Sequence, residues 1–381
     1  FYFGDSIMTN ALSFSQVANL IATIGHKRTV IVEGENGIGK TALFHALKRM
    51  DKFANHIAVK PIDCTQLSDG SVWMPDLDRD AGVSRELPNE RFGVSKTNQF
   101  GVNGSTPVLI ALDEIAKAPN YIKNVLAPIV YERRVGNYGM PEGSVVVCFT
   151  NLGIEGLGDS IQAHLRNRLV FVQMRKPTAD EWVQWAVDAG VYSSVVAFVK
   201  MTPSVLDSFL DYEKGGKYEG RQLDKDNGMI FNPRSTAKSY ATPRSLVAAS
   251  DVLSEGLDVL DDHTIEHTLC GTVGEPTARA MMSFIRFGRE ITSLDRILHD
   301  PDNAPISDNP TVQLVQVLKI VSDVSTREDA DKATTYVMRM RPELQSIFTN
   351  SVATSQRIGL YATLTNFGAL LKEHKIFFTS I

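Results

Sequence analysis

Thr29-Val30-Ile31-Val32-Glu33-Gly34-Glu35-Asn36-Gly37-Ile38-Gly39-Lys40-Thr41 decides the fold. Its first residues form a short β-branched run of the kind that makes a buried parallel strand. The rest matches G-x-x-x-x-G-K-T, and the residues after it, through Met50, carry a helical pattern. Strand, glycine-rich turn and helix in that order give the motif its physical meaning. The glycines Gly34, Gly37 and Gly39 let the backbone curl, so that amides of Glu35, Asn36 and Ile38 face an anion, and the start of the helix adds its dipole. Lys40 reaches the outer phosphates of a nucleoside triphosphate. The hydroxyl of Thr41 suits a hard cation such as Mg2+.

Working outward, four further apolar runs alternate with helical patterns: 57–59, 108–112, 145–149 and 169–172. Such alternation predicts an α/β domain with a parallel sheet covered on both faces. Residues 9–24 and 121–133 read as helices of that domain. The polar, glycine-rich stretch 63–106 reads as long loops or hairpins, which a compact domain rarely keeps without a use for them. After Pro177 the pattern becomes helical. Thr178 and Glu181 form a capping box, and Gly190 can end the helix they start. Helices are expected near 203–210, 243–253, 277–287, 311–322, 328–340 and 358–373, with an exposed loop over 213–239 and a Pro-, Asp- and Asn-rich connection over 300–309. The expected organisation is an N-terminal segment and helix over 1–25, a nucleotide-binding domain over 26–176, a helical lid over 177–290 and a helical C-terminal region over 291–381.

Composition limits the remaining possibilities. Thirty-nine Lys and Arg against 44 Asp and Glu give a net charge of −5, which argues against blanket electrostatic binding of nucleic acid. No apolar run is long enough to span a membrane. Cys64, Cys148 and Cys270 are odd in number and scattered. They make no disulfide framework, and a reducing cytoplasm fits best. Residues 1–7, ahead of Met8, lack the charged and apolar segments of a signal peptide and enter no functional argument.

Several residues extend the chemistry of the loop. Asp113 and Glu114 end the strand pattern at 108–112. Beside a phosphate loop, Asp113 is placed to hold Mg2+ and Glu114 to polarise an attacking water. Asn151 ends the next strand, where an amide can bond both the terminal phosphate and that water. Arg166 and Arg168 precede the strand pattern at 169–172, and the arginine fork matches phosphate oxygens. Which of the two reaches a nucleotide is open. Arg244 follows Thr242 and Pro243 at a helix start, from which its charge could reach the terminal phosphate. Weaker signals read as structure: Trp182, Trp185, Met281, Met282 and Phe284 as core, and the charged 214–225 segment as a solvated loop. His263, His267 and Cys270, at i, i+4 and i+7, read as chance helical spacing rather than a metal site.

Taken in sequence order, this set resembles an AAA+ ATPase, and its details resemble the MoxR-like branch. Residues 133–143, Arg-Arg-Val-Gly-Asn-Tyr-Gly-Met-Pro-Glu-Gly, are similar to that branch's R-x-V-G-x-Y-x-L-P-E segment. Leu165-Arg166-Asn167-Arg168 is similar to its L-x-x-R-F finger segment, with Leu169 where Phe is usual. Residues 63–75 resemble its insert after the second strand. Residues 272–275 resemble a segment of phage and bacterial members. The resemblance spans roughly 9–290. It implies a homo-oligomeric ring, a hexamer, that hydrolyses ATP with Mg2+ and remodels proteins, often beside a partner with a von Willebrand factor A domain. A finger arginine would come from the neighbouring subunit. For a phage member the compartment is the host cytoplasm. An AAA+ nucleic-acid motor is the alternative, which the balance of Arg79, Arg85, Arg91 and Lys96 against Asp76, Asp78, Asp80, Glu86 and Glu90 does not support.

Overall fold

The computed structural model describes residues 11–152, 168–210, 217–218, 221–222, 227–232 and 235–374, and the chain divides into two units, Phe1–Lys176 and Pro177–Ile381. The first unit is built on a parallel sheet. Its strands are β1 (Val30–Gly34), β2 (Ile57–Ala58) and β3 (Ile62–Asp63), followed, after a hairpin of β4 (Trp73–Asp78) and β5 (Val83–Pro88), by β6 (Val108–Asp113). A second hairpin, β7 (Arg134–Val135) and β8 (Tyr138–Gly139), precedes β9 (Val145–Asn151) and β10 (Val170–Gln173). The sheet order is β10-β1-β9-β6-β2, with β3 also on β6, and every pairing within it is parallel.

The runs 30–32, 108–112 and 145–149 in these strands are apolar because both faces are covered. Val30 and Val32, Leu109 and Ala111, and Val145, Val147 and Phe149 point to one face. They pack there with residues of α1 (Phe14–Ile24) and α2 (Lys40–Arg49). Ile31, Ile110, Leu112, Val146 and Cys148 point to the other, against Ile122, Leu126 and Ile129 of α3 (Asn120–Glu132). The first helix begins at Phe14, later than the apolar spacing predicts. Ser13 and Gln16 form a capping box that fixes the start, and Leu12 instead pairs with Met174 beside the sheet.

The 63–106 stretch does contain a hairpin. Strands β4 and β5 pair in antiparallel register from Trp73↔Pro88 to Asp78↔Val83, with short 3-10 turns on either side. Its Met74, Leu77, Val83 and Leu87 are exposed. The turn between β7 and β8 lies against it. Gly136 has φ 55°, and a Cβ there would stand 2.3 Å from the Glu86 carbonyl oxygen, so only glycine fits this approach.

The second unit is helical. Its first helices are α4 (Ala179–Asp188), α5 (Ser193–Met201), α6 (Pro243–Gly256), α7 (Asp262–Val273), α8 (Glu275–Arg289) and α9 (Leu294–His299). They are followed by α10 (Pro310–Asp323), α11 (Arg327–Val337), α12 (Pro342–Ala353), α13 (Ile358–Tyr361) and α14 (Thr365–Glu373). One apolar core runs from Trp182 to Leu370. Helix α10 lies inside it, buried from Val312 through Leu318, and reaches solvent further on, where Lys319 pairs with Asp323. Phe348, Tyr361 and Phe367 form an aromatic triple with ring centroids 5.4–6.2 Å apart.

Differences from the sequence reading have local causes. Residues 203–206 make a 3-10 turn rather than a helix to 210, and α5 before them buries Ser194 through Val199. The pattern at 358–373 is two helices, because the chain turns at 362–364. Trp182 is core, but Trp185 is half exposed. The capping box at α4 is present: Glu181 N–H donates to Thr178 Oγ1 at 3.2 Å and Thr178 N–H to Glu181 Oε2 at 2.8 Å. Thr178→Ala should lower stability by about 1 kcal/mol, seen as a fall in Tm of about 2–4 °C on thermal unfolding. Among the described residues no helix is long and apolar enough to cross a membrane.

Candidate functional site

The site assembles at the carboxyl ends of β1, β9 and β6, three neighbouring strands of the sheet. In parallel α/β sheets that edge is where ligands bind. Gly34 ends β1 and pairs in register with Asn151, the last residue of β9. Asp113 ends β6 and pairs with Asp63 of β3.

From Gly34 the chain turns into α2 through Gly37 at φ 72° and Gly39 at φ 99°, conformations that L side chains resist. A Cβ on Gly34 would fall 2.4 Å from Ile38 Cδ1 and 2.9 Å from the Met174 carbonyl oxygen. The loop therefore hugs the end of the sheet, with Ile38 driven into the core below it. Gly39 caps α2 without a side chain, which leaves the first-turn amides for an external acceptor.

Lys40 is buried, and its Nζ donates to the carbonyl oxygens of Gly34 at 2.7 Å and Glu35 at 2.8 Å and to Asn151 Oδ1 at 2.7 Å. The amide of Asn151 is thereby oriented, and its Nδ2 donates to Glu114 Oε1 at 2.9 Å and Oε2 at 3.3 Å. Glu114 also carries an ion pair to Lys117 Nζ at 3.0 Å. Its backbone sits at φ 53°, one of two non-glycine residues with positive φ among those described. Such strain persists where neighbours over-determine it, often at a working site. The positive φ turns Glu114 away from the line of β6, so Asp113 and Glu114, adjacent in sequence, address different partners.

Asp113 Oδ2 accepts from Thr41 Oγ1 at 3.1 Å, and Oδ1 accepts from the Glu114 N–H at 3.0 Å. Burial pushes the Asp113 carboxyl up from its ordinary range. The hydrogen bonds from Thr41 and the Glu114 amide pull it back. A divalent cation would offset that desolvation directly. Among the described residues no group of three or more His, Cys, Asp or Glu could hold a metal. A hydroxyl and one carboxylate are instead the partial oxygen set that Mg2+ uses when a bound phosphate supplies the rest.

Around this centre the other residues divide. Glu35 pairs with Lys176 Nζ at 3.2 Å, with both side chains buried. Arg168 is described, exposed, in the turn before β10, near the Tyr131 phenol. Arg166 lies outside the described residues, as do parts of the 213–239 loop. Arg244 is exposed in the first turn of α6, whose start is capped by Thr242 and Ser245. It belongs to the second unit, and the first unit alone holds the Gly34–Thr41, Asp113, Glu114 and Asn151 cluster. Within the 133–143 segment, Arg133 is not a surface charge. It donates to Thr29 Oγ1, to the Val130 carbonyl at 3.1 Å and to the Gly25 carbonyl at 2.9 Å, tying α3 to the entry of β1.

Two participants escape the sequence reading. Lys117 is three residues after Glu114, a spacing that in hindsight marks a contact across one turn. Lys176 has no local signal at all, because its partner lies 141 residues earlier and only the fold joins them. His263 and His267 stack with rings 6.5 Å apart and nearly parallel on α7.

No protein-family model matches the chain, and no curated protein sequence does. Among solved structures it is similar to the RuvB Holliday junction branch migration motor of Thermotoga maritima, at 12% identity over 75% of this chain and 74% of that one, with a TM-score of 0.34. It is also similar to NtrX of Brucella abortus, at 14% identity over 94% of this chain and 68% of that one, with a TM-score of 0.32. At such distance the site's own geometry carries the functional argument.

Proposed function

We propose that the chain is an AAA+ ATPase of MoxR-like type, a ring-forming protein that couples hydrolysis of ATP, with Mg2+, to remodelling of a protein partner. The observation that carries the reading is a single connected set: Lys40, Asn151 and Glu114 in one hydrogen-bonded chain, beside Thr41 bonded to Asp113, all at the rim of a glycine loop. A surface loop with a chance glycine motif has no reason to gather an amide, two carboxylates and a buried ammonium at three strand ends.

In this reading the loop amides and the start of α2 bind the phosphates. Lys40 exchanges carbonyl partners for phosphate oxygens. Thr41 and Asp113 hold Mg2+, which when bound neutralises charge on the outer phosphates. Glu114 accepts a proton from the attacking water as a general base, and Asn151 fixes the position of both. The exposed Arg168, with Arg166, supplies the finger to a neighbouring copy, and Arg244 serves as a sensing charge from the second unit. The net charge of −5 favours a protein client over nucleic acid. A von Willebrand factor A domain partner belongs to this reading as the resemblance implies it.

The test is turnover of MgATP by the full chain as a function of its concentration. A specific activity that rises with assembly supports a ring with shared sites. Turnover that is absent at every concentration sinks the reading. Mixing inactive Arg166→Ala/Arg168→Ala chains with inactive Glu114→Gln chains should restore part of the activity, since some interfaces then pair an intact finger with an intact base. Stable mixed rings with none would rule out an arginine acting in trans.

A further inference from the structure

The Glu35–Lys176 pair has no role in the chemistry above, and it is costly. Lys176 is 4% exposed and Glu35 is 6%, and withdrawing two charges from water is seldom repaid by their attraction alone. The ion pair joins Glu35 Oε2 to Lys176 Nζ at 3.2 Å. The position of the pair supplies the reason. Glu35 lies inside the phosphate loop, and its carbonyl accepts from Lys40. Lys176 is the last residue of the first unit, and Pro177 opens the second.

The segment that leads to Lys176 runs beside that loop, fastened to the end of β1 and to the residues ahead of α1. Met174 N–H donates to the Glu33 carbonyl at 2.7 Å, and Arg175 N–H to the Leu12 carbonyl at 2.9 Å. Met174 also presses on Gly34, where no Cβ fits. Pro177 restricts the backbone of Lys176 to extended conformations, so displacement at Lys176 passes into the next residues instead of being absorbed by rotation.

We propose that Glu35–Lys176 is a coupling element that transmits phosphate occupancy of the Gly34–Thr41 loop to the segment opening the second unit. Phosphate oxygens draw Lys40 away from the Glu35 carbonyl. The Glu35 peptide then reorients, and its carboxylate changes its hold on Lys176. Neither residue touches a reacting atom; Lys176 acts through Glu35. This inference rests on the phosphate-site reading.

The test is hydrogen exchange on the full chain, with and without saturating mant-ADP and Mg2+, in peptides covering 177–201. The wild type should change its deuterium uptake there on binding. Lys176→Arg keeps the charge and should keep the change. Lys176→Gln lies outside the phosphate loop, removes the positive charge and leaves an amide that can donate to Glu35, so the carboxylate is not left without a donor. It should still bind mant-ADP at saturation yet lose the change. A Lys176→Gln chain that binds and keeps the wild-type difference overturns the coupling, as does a wild type that binds and shows no difference. A wild type that fails to bind mant-ADP fails the phosphate-site reading itself, and this inference falls with it.

Discussion

Lys40→Ala should weaken MgATP binding by about 10- to 150-fold, the equivalent of the roughly 1.5–3 kcal/mol of a hydrogen bond to a charged group. Turnover should fall further, by about another 10²–10³, because a preorganised positive donor acts most on charge that develops in the transition state. The geometry explains why the effect is large. Lys40 Nζ is buried and holds three acceptors at once, the carbonyls of Gly34 and Glu35 and the Asn151 amide oxygen. Its loss takes away the phosphate's cation, frees two loop carbonyls and releases the amide that orients Glu114. Isothermal titration with MgATP and a phosphate-release assay measure the two parts separately. Binding at wild-type affinity would show that the glycine loop is not the phosphate site. Arginine at this position should not rescue, since its planar fork cannot meet three acceptors arranged around one ammonium.

Sequence carried much of this site because each of its parts ends a strand. Gly34, Asp113 and Asn151 are each the final residue of a strand, at or just past the end of its apolar run, and in a parallel sheet those ends meet at one edge. The strand runs at 30–32, 108–112 and 145–149 are readable for the same reason: covered on both faces, they admit no polar residue. Elements held by tertiary contact are different. Strand β3 is two residues long and exists because Ile62 and Asp63 pair with Leu112 and Asp113. Helix α5 lacks a side-chain cap and carries four β-branched residues or serines in its first turn. Its Val195, Val196 and Phe198 hold it in the core of the second unit. Trp185 follows the helical spacing of Trp182 but lies at the edge of the buried stripe, where periodicity assigns a face and not a depth. Lys117 and Lys176 show the same limit for charge. An ion pair between Glu35 and Lys176 is a property of the folded first unit, and no window of sequence contains both.

Glu114→Gln should bind MgATP nearly as wild type and hydrolyse it about 10²–10⁴-fold more slowly, the usual cost of removing a general base. Glutamine preserves volume and keeps an oxygen that accepts from Asn151 Nδ2, now 2.9 Å from Glu114 Oε1. It loses the carboxylate that takes the proton and pairs with Lys117. The phosphate contacts of the loop, Thr41 and Asp113 are untouched, so affinity and turnover separate. That separation distinguishes a base from a structural acid, whose loss would depress both. Normal turnover in Glu114→Gln would place the base elsewhere. The stalled variant is also the means to find the client. Loaded with ATP, it should hold its partner long enough to co-purify. A specific protein, above all one bearing a von Willebrand factor A domain, carries the remodelling reading. Nuclease-sensitive material in its place would transfer the argument to a nucleic-acid motor and to the 76–106 loops.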